Sequence, residues 1–141
     1  MRKLFTLITI FSLLSFSQDK TECEEQRSMP YWSNGINSRI EGENITLRNA
    51  FREIQLSETD ITPINGFITL RLHISKTGKF CNIETFQIDE NYQNTEFNSG
   101  ELIEKLENIA IGLKDWERDK AYKTYNLIRL KIKDGKIEEI F

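Results

Sequence analysis

The chain has 141 residues, of which 29% are charged, and a formal net charge of −3. This length favours one domain, and the acidic balance argues against a nucleic-acid partner, which would favour a basic surface. With one histidine and two cysteines, and without a CxxC motif, the sequence predicts neither a metal nor another cofactor.

Residues 1–17 have the pattern of a secretory signal peptide. Arg2 and Lys3 precede an apolar run that ends at Phe16, and Ser17 completes a small-x-small cleavage pattern. A membrane anchor is the alternative, but the run is shorter than the ~20 residues that a spanning helix needs. We therefore expect a periplasmic or secreted protein whose mature chain has no transmembrane segment.

Two cysteines, Cys23 and Cys81, follow the predicted signal peptide. Exported proteins meet oxidising conditions, so the pair is a disulfide candidate that would join the N-terminal lead to a strand. Closing a loop of this size would add roughly 4 kcal/mol to the free energy of unfolding in the chain-entropy model. Two free thiols, one exposed and one buried, are the alternative.

Residues 18–65 form an N-terminal lead with one predicted helix. Its first part is polar and poorly periodic. Apolar residues then recur at three- and four-residue spacing, which predicts a helix over about 46–55. The residues of this apolar stripe are Leu47, Ala50, Phe51 and Ile54. We expect Asn44 or Thr46 to cap the helix.

A β-hairpin is predicted next. Apolar and polar residues alternate over about 67–75, which is typical of a half-buried strand. Gly78 lies in a turn that favours a positive φ, and a second strand follows over about 79–88. The alternation of this strand changes parity, so we expect a β-bulge near Glu84 or Thr85, or a strand covered on both faces.

A second helix is predicted over about 100–113. Asn98 and Glu101 have the spacing of a capping box, and the residues that follow show an apolar stripe over about three turns. Trp116 lies in the link to the next strand.

The last third of the chain is again predicted to be β-structure. Apolar and basic residues alternate over about 124–133, and Asp134 with Gly135 gives a strong two-residue hairpin signal. A short strand over about 136–141 completes the pattern. The expected fold class is α+β: a two-layer sandwich with three to four antiparallel strands and a helix on one face.

The sequence contains little that resembles a catalytic site. The single histidine, His73, alternates with apolar residues, so we expect a solvated side chain rather than a catalytic base. No suitably placed pair of carboxylates and no phosphate-binding loop is visible. We therefore predict no catalytic residues and a protein that is not an enzyme.

Basic residues recur on the polar faces of the predicted strands. They are Arg71, His73, Arg129, Lys131 and Lys133. If these strands are neighbours, the open face of the sheet is a partner-binding strand face for an acidic segment. Simple solvation of exposed strand residues, which also discourages edge pairing, is the alternative.

The region 66–141 resembles the C-terminal domain of TonB, the periplasmic energy transducer of Gram-negative bacteria. The likeness lies in the order of a strand that opens at Gly66, a hairpin at Gly78, a helix over 101–113, Trp116 and a closing strand. It covers a little over half of the chain. In that family the domain binds a short extended peptide of outer-membrane receptors by strand addition, and such domains also dimerise through strands.

The resemblance implies a stand-alone, non-enzymatic protein-binding domain of a Gram-negative cell envelope that contacts outer-membrane transport components. A homodimer is a further expectation from the same resemblance. The Asp134-Gly135 hairpin predicts that residues 136–141 fold back and occupy one sheet edge. The alternative hypothesis is a small periplasmic inhibitor or immunity-type protein that blocks an enzyme.

Overall fold

The computed structural model describes residues 22–24 and 27–141. Its strands are β1 (Met29–Pro30), β2 (Arg39–Ile40), β3 (Gly66–Ile74), β4 (Phe80–Asp89), β5 (Trp116–Glu117), β6 (Thr124–Lys133) and β7 (Lys136–Ile140). Its longer helices are α1 (Glu43–Ala50), α2 (Arg52–Ser57) and α3 (Glu101–Ile111). The predicted signal peptide over 1–17 lies outside the described residues.

The main sheet is built around β3. β3 pairs antiparallel with β4 on one side and with β6 on the other, and the other side of β6 carries β7 antiparallel and β1 parallel. The α+β class and the mainly antiparallel sheet are confirmed. The sheet has five strands because the lead adds β1, and β2 and β5 form a separate two-stranded sheet.

Alternation along β3 and β6 places the core on one face of the sheet. The even-numbered residues of β3 from Ile68 to Ile74 are fully buried, and they pack against a stripe of α3. Leu102, Leu106 and Ala110 supply most of that stripe. Burial of a large aliphatic side chain stabilises a fold by roughly 1.5–3 kcal/mol, so this layer is the main source of stability.

The predicted single helix over 46–55 is wrong in its details. The chain forms α1 and α2, with a break at Phe51, which has φ −95° and ψ 3°. Phe51 is fully buried, so packing of its ring overrides helical continuity. Gly42, with φ 78°, precedes α1, and neither Asn44 nor Thr46 caps it; the Thr46 hydroxyl donates instead to the carbonyl of Glu41.

The expected capping box before α3 is also wrong. Gly100, with φ 88°, is the residue before the helix, and no side chain caps it. The side-chain oxygen of Asn98 accepts a hydrogen bond from the backbone N–H of Thr62 at 2.9 Å. The local pattern assigned the Asn98 side chain to capping α3, but the side chain instead makes a tertiary contact with the lead.

The β-bulge in the hairpin lies at the start of β4, not near Glu84 or Thr85. His73 pairs with Asn82 and Ile74 with Phe80, so Cys81 is the extra residue. Beyond Cys81 the alternation is regular, and this register fixes which side chains of β4 face away from the core.

Candidate protein-binding surfaces

The face of the sheet opposite α3, termed the outer face, displays alternate residues of the three long strands. Their register brings together Phe67, Arg71 and His73 of β3, Glu84 and Phe86 of β4, and Tyr125, Arg129 and Lys131 of β6. Period-two alternation places these side chains away from the core.

Two arginines lie among aromatic rings on the outer face. The guanidinium of Arg71 lies 4.8 Å from the ring centroid of Phe86 and 5.1 Å from that of Tyr125. Arg129 lies in the same way over Phe67, at 5.2 Å, and over Phe141, at 5.8 Å. Phe86 remains 45% exposed. Aromatic residues and arginine are the types enriched where proteins bind one another.

The structure brings the predicted basic residues to one region but neutralises most of them. Glu84 forms an ion pair with Arg71 and accepts a hydrogen bond from His73. Glu138 forms ion pairs with Lys131, at 2.8 Å, and with Lys133. The hydrogen bond that Lys131 donates to Glu138 is the main cause of the lowered pKa of Glu138 and of the raised pKa of Lys131.

The face is therefore not a free basic patch. Of the five basic residues predicted to form the partner-binding face, four are paired with carboxylates. Arg129 contributes its charge chiefly to the two aromatic rings beside it. Shape and aromatic contact distinguish this surface more than net positive charge does.

His73 lies on the outer face as predicted, but it is not simply solvated. Its side chain is 19% exposed, and its Nε2 lies 2.8 Å from the carboxylate of Glu84. A carboxylate can only accept, so Nε2 donates, and Nδ1 of a neutral ring then accepts from the Ser28 hydroxyl at 2.7 Å. The hydrogen bond from His73 is the main cause of the lowered pKa of Glu84.

This chain of hydrogen bonds helps to hold the lead beside the hairpin, and so does the Thr77 hydroxyl, which donates to the Glu22 carboxylate at 2.7 Å. The predicted disulfide is also present: Cys23 and Cys81 are bonded, with their Cα atoms 5.5 Å apart. The side chain of Lys123 also donates to the carbonyl of Cys23. A disulfide is consistent with an oxidising, extracytoplasmic compartment.

The two edges of the sheet differ. The β6 edge is covered by β7, as the Asp134-Gly135 hairpin predicted, and by β1. On the β4 edge, the Thr95 N–H donates to the Gln87 carbonyl, so the segment after β4 covers its last residues. This bond also shows that the backbone groups of Gln87 point away from β3.

By alternation, the N–H and C=O groups of Ile83 and Thr85 point the same way. Ile83 N–H is bonded to the side chain of Asn82. Among the described residues, no backbone group bonds the Ile83 carbonyl, the Thr85 N–H and C=O, or the Gln87 N–H from this side. These four groups form an open row on the β4 edge, and such a row is suited to pairing with another strand.

Gly78 and Trp116, the two structural positions of the resemblance, meet in the fold. Gly78 has φ 92°, and a Cβ atom there would lie 2.7 Å from the carbonyl oxygen of Trp116. Glycine is therefore needed both for the turn and for the approach of β5. Their relation is a packing contact, and sequence order alone did not reveal it.

The described residues contain no group of three or more His, Cys, Asp or Glu side chains that could hold a metal ion. Within the same residues, no helix has the length and apolar character needed to cross a bilayer. No protein-family model, curated protein or solved structure matches this chain.

Proposed function

We propose that this chain is an exported, non-enzymatic protein-binding module that accepts an extended segment of a cell-envelope partner by strand addition to the β4 edge. The observation that carries the proposal is the open row of backbone groups from Ile83 to Gln87. Such a row pairs with any extended chain, and neighbouring side chains supply the specificity. The β6 edge is not available in this way because β7 and β1 occupy it.

The side chains beside the β4 edge define the segment that fits. On the outer face, Phe86 is exposed next to Arg71. On the helix side, Glu107 of α3 accepts from the Thr85 hydroxyl at 2.5 Å. Residues of an added strand alternate between these two sides. The partner segment therefore places an apolar residue on Phe86 and a basic residue towards Glu107.

The proposal includes the similarity to the TonB C-terminal domain and a periplasmic location. The sheet order β4-β3-β6 with α3 on one face supports the first, because it matches the helix-on-hairpin arrangement that the resemblance implies. The disulfide supports the second. Docking at β4 differs from docking beside the closing strand, whose outer edge is taken here.

The experiment replaces Thr85 with proline. Thr85 N–H points away from β3, so T85P removes an edge donor without removing a β3–β4 ladder bond. We expect T85P to abolish recovery of the specific partner from envelope extracts, while the matched T85V, which keeps the N–H and a β-branched side chain, retains it. Equal recovery by T85P and T85V contradicts strand addition at β4.

The partner's identity decides between the two function hypotheses. An envelope transport component with an extended segment supports the transport role. A hydrolase whose activity falls on binding supports the inhibitor or immunity-type role instead. In both cases the same T85P and T85V pair reports whether the β4 edge makes the contact.

The non-enzymatic part of the proposal has its own test. Ser28, His73 and Glu84 are hydrogen-bonded in the order of a nucleophile, a base and an acid. We assign them to holding the lead, so an active-site-directed fluorophosphonate is expected to leave the protein unlabelled. Labelling that S28A removes would contradict the assignment and favour an esterase.

A further inference from the structure

The indole N–H of Trp116 is a buried donor without an acceptor. Trp116 is 8% exposed, and its Nε1 has no hydrogen-bond partner among the described residues. Buried indole N–H groups usually have an acceptor, because an unpaired donor that has left water costs free energy. The fold fixes the position of this residue, since β5 pairs with β2 at Ile40 and the Trp116 carbonyl lies against Gly78.

Trp116 lines a cavity of about 320 Å³. The cavity is bounded by the lead, including α1, and by β5, β6 and the last residue of the chain. Ile40, Leu47, Ile128 and Phe141 give it apolar walls. This volume lies at the lower end of the range for small-molecule sites, which combine apolar walls with a few polar groups. The cavity therefore suits a small molecule.

The other buried polar side chains of the wall have partners. Ser38 and Asn126 are bonded to each other: the Asn126 amide donates to the Ser38 carbonyl, and its oxygen accepts from the Ser38 hydroxyl. Glu43 and Asn44 also line the cavity, but they are exposed to water. The buried group that a ligand can satisfy is therefore the indole N–H, and this requires an acceptor.

The charges around the cavity disfavour an anion. Arg39 lines the cavity and is matched by ion pairs with Glu117 and Asp119. Glu43 adds a third carboxylate to the wall. It is the first residue of α1, where its charge offsets the partial positive charge of the helix end. One guanidinium is thus set against three carboxylates, so a neutral acceptor fits better than a carboxylate or a phosphate.

We propose that this cavity binds a small neutral molecule with an apolar body and a carbonyl oxygen. The oxygen accepts from Trp116 Nε1, and the apolar body packs against Leu47, Ile128 and Phe141. Because Nε1 is buried, the wall must yield slightly on binding, and the exposed side chains of Glu43 and Asn44 are the part of it that can move. A hydrocarbon of the same size would leave the donor unpaired.

This site goes beyond the proposed function and does not depend on it. None of the residues that line the cavity belongs to β4, so T85P is expected to leave ligand binding unchanged. Loss of the partner and loss of the ligand are therefore separate results.

The test titrates cyclohexanone, which has an apolar ring, one acceptor and no donor, into the disulfide-intact protein. Proton–nitrogen NMR follows the indole N–H signals, which W32F assigns. The Trp116 signal should move downfield and saturate with a dissociation constant on the order of 1 mM. The signal of Trp32, which is 57% exposed, should not move with it. No saturable shift at Trp116 overturns the proposal.

A second probe tests the charge argument. Cyclohexanecarboxylate has the same ring with an anionic acceptor, and it should bind at least about threefold more weakly than cyclohexanone. Equal or tighter binding of the carboxylate overturns the proposal of a neutral ligand.

Two matched variants test the donor itself. W116F keeps an aromatic ring and removes the N–H, so cyclohexanone should bind about three- to tenfold more weakly. W32F keeps Trp116 and should bind cyclohexanone as the unmodified protein does. Undiminished binding by folded W116F overturns the proposal. If W116F does not fold, the comparison of the two probes in the unmodified protein decides.

Discussion

The β6 edge and the β4 edge show two ways in which one sheet can end. At β6, a hairpin and the N-terminal lead cover most of the strand, and Leu127 has no backbone partner on that side among the described residues. At β4, the helix side is packed by α3, but no backbone group of residues 22–24 or 27–141 pairs with the outward row between Ile83 and Gln87. Exposed strand edges promote association, and the proposed function assigns association to β4 on this ground.

The largest expected effect on stability comes from removing the disulfide. This bond joins the lead, which covers part of β6, to the start of β4. Its cysteines are 58 residues apart. The C23S/C81S variant should lose roughly 4 kcal/mol of unfolding free energy. Urea denaturation measures this loss. A loss under about 1 kcal/mol would mean that the remaining contacts hold the lead by themselves.

The next largest effect is expected from a substitution in β7, which tests how this strand protects the β6 edge. Ile137 is 3% exposed and anchors β7 to the core. I137A should cost about 2–5 kcal/mol through lost burial and a residual cavity. It should also expose the β6 edge and cause concentration-dependent association, measured by size-exclusion chromatography.

Glu139 provides the matched control on the same strand, since its side chain is exposed. E139A should change stability by no more than about 0.5 kcal/mol and leave the protein's elution volume unchanged. Association of E139A to the same degree as I137A would show that β7 does not protect the edge through its buried anchor.

A smaller effect tests the polar contacts between β6 and the lead. Asn126 is 5% exposed and joins β6 to Ser38 of the lead. N126A leaves the Ser38 carbonyl without this donor and should cost about 1–3 kcal/mol. The half-buried Leu127 gives the comparison, and L127A should cost less. Urea denaturation of the two variants measures the difference, and the reverse order would contradict the assigned role of Asn126.

The smallest expected effect is on the pH dependence of stability, to which Glu84 of β4 and Glu138 of β7 contribute. Hydrogen bonds from His73 and Lys131 are the main causes of the lowered pKa values of Glu84 and Glu138. A lowered folded-state pKa gives stability that is present above the unfolded value of 4.5 and is lost as the pH falls through the folded value. E84Q and E138Q should each flatten the stability profile below about pH 5, measured by urea denaturation at several pH values.

The long strands and α3 were predictable because one periodic pattern and one buried face determine them. Their alternation agrees with the core that forms, and Asp134 with Gly135 correctly predicted the turn before β7. The disulfide was predictable from two cysteines in a chain with a signal-like N-terminus. In these regions local pattern and tertiary packing favour the same structure.

The other features depend on contacts between distant residues. Asn98 bonds Thr62 instead of capping α3, and Cys81 forms the bulge that the parity change had placed further along β4. The open β4 edge was not predictable, since pairing partners are not encoded in the alternation of a single strand. The point at which the lead turns away from β6, after Tyr31, was likewise not indicated by any local pattern.

Site-specific photo-crosslinking in the native envelope tests the central claim most directly. A photoreactive residue at Phe86, beside the β4 edge, should crosslink to the partner, and the adduct should disappear when T85P is added. The same residue at Glu139, on β7, should give no adduct with that partner. An adduct from Glu139 but not from Phe86 would contradict the account and assign docking to the β6 side of the sheet.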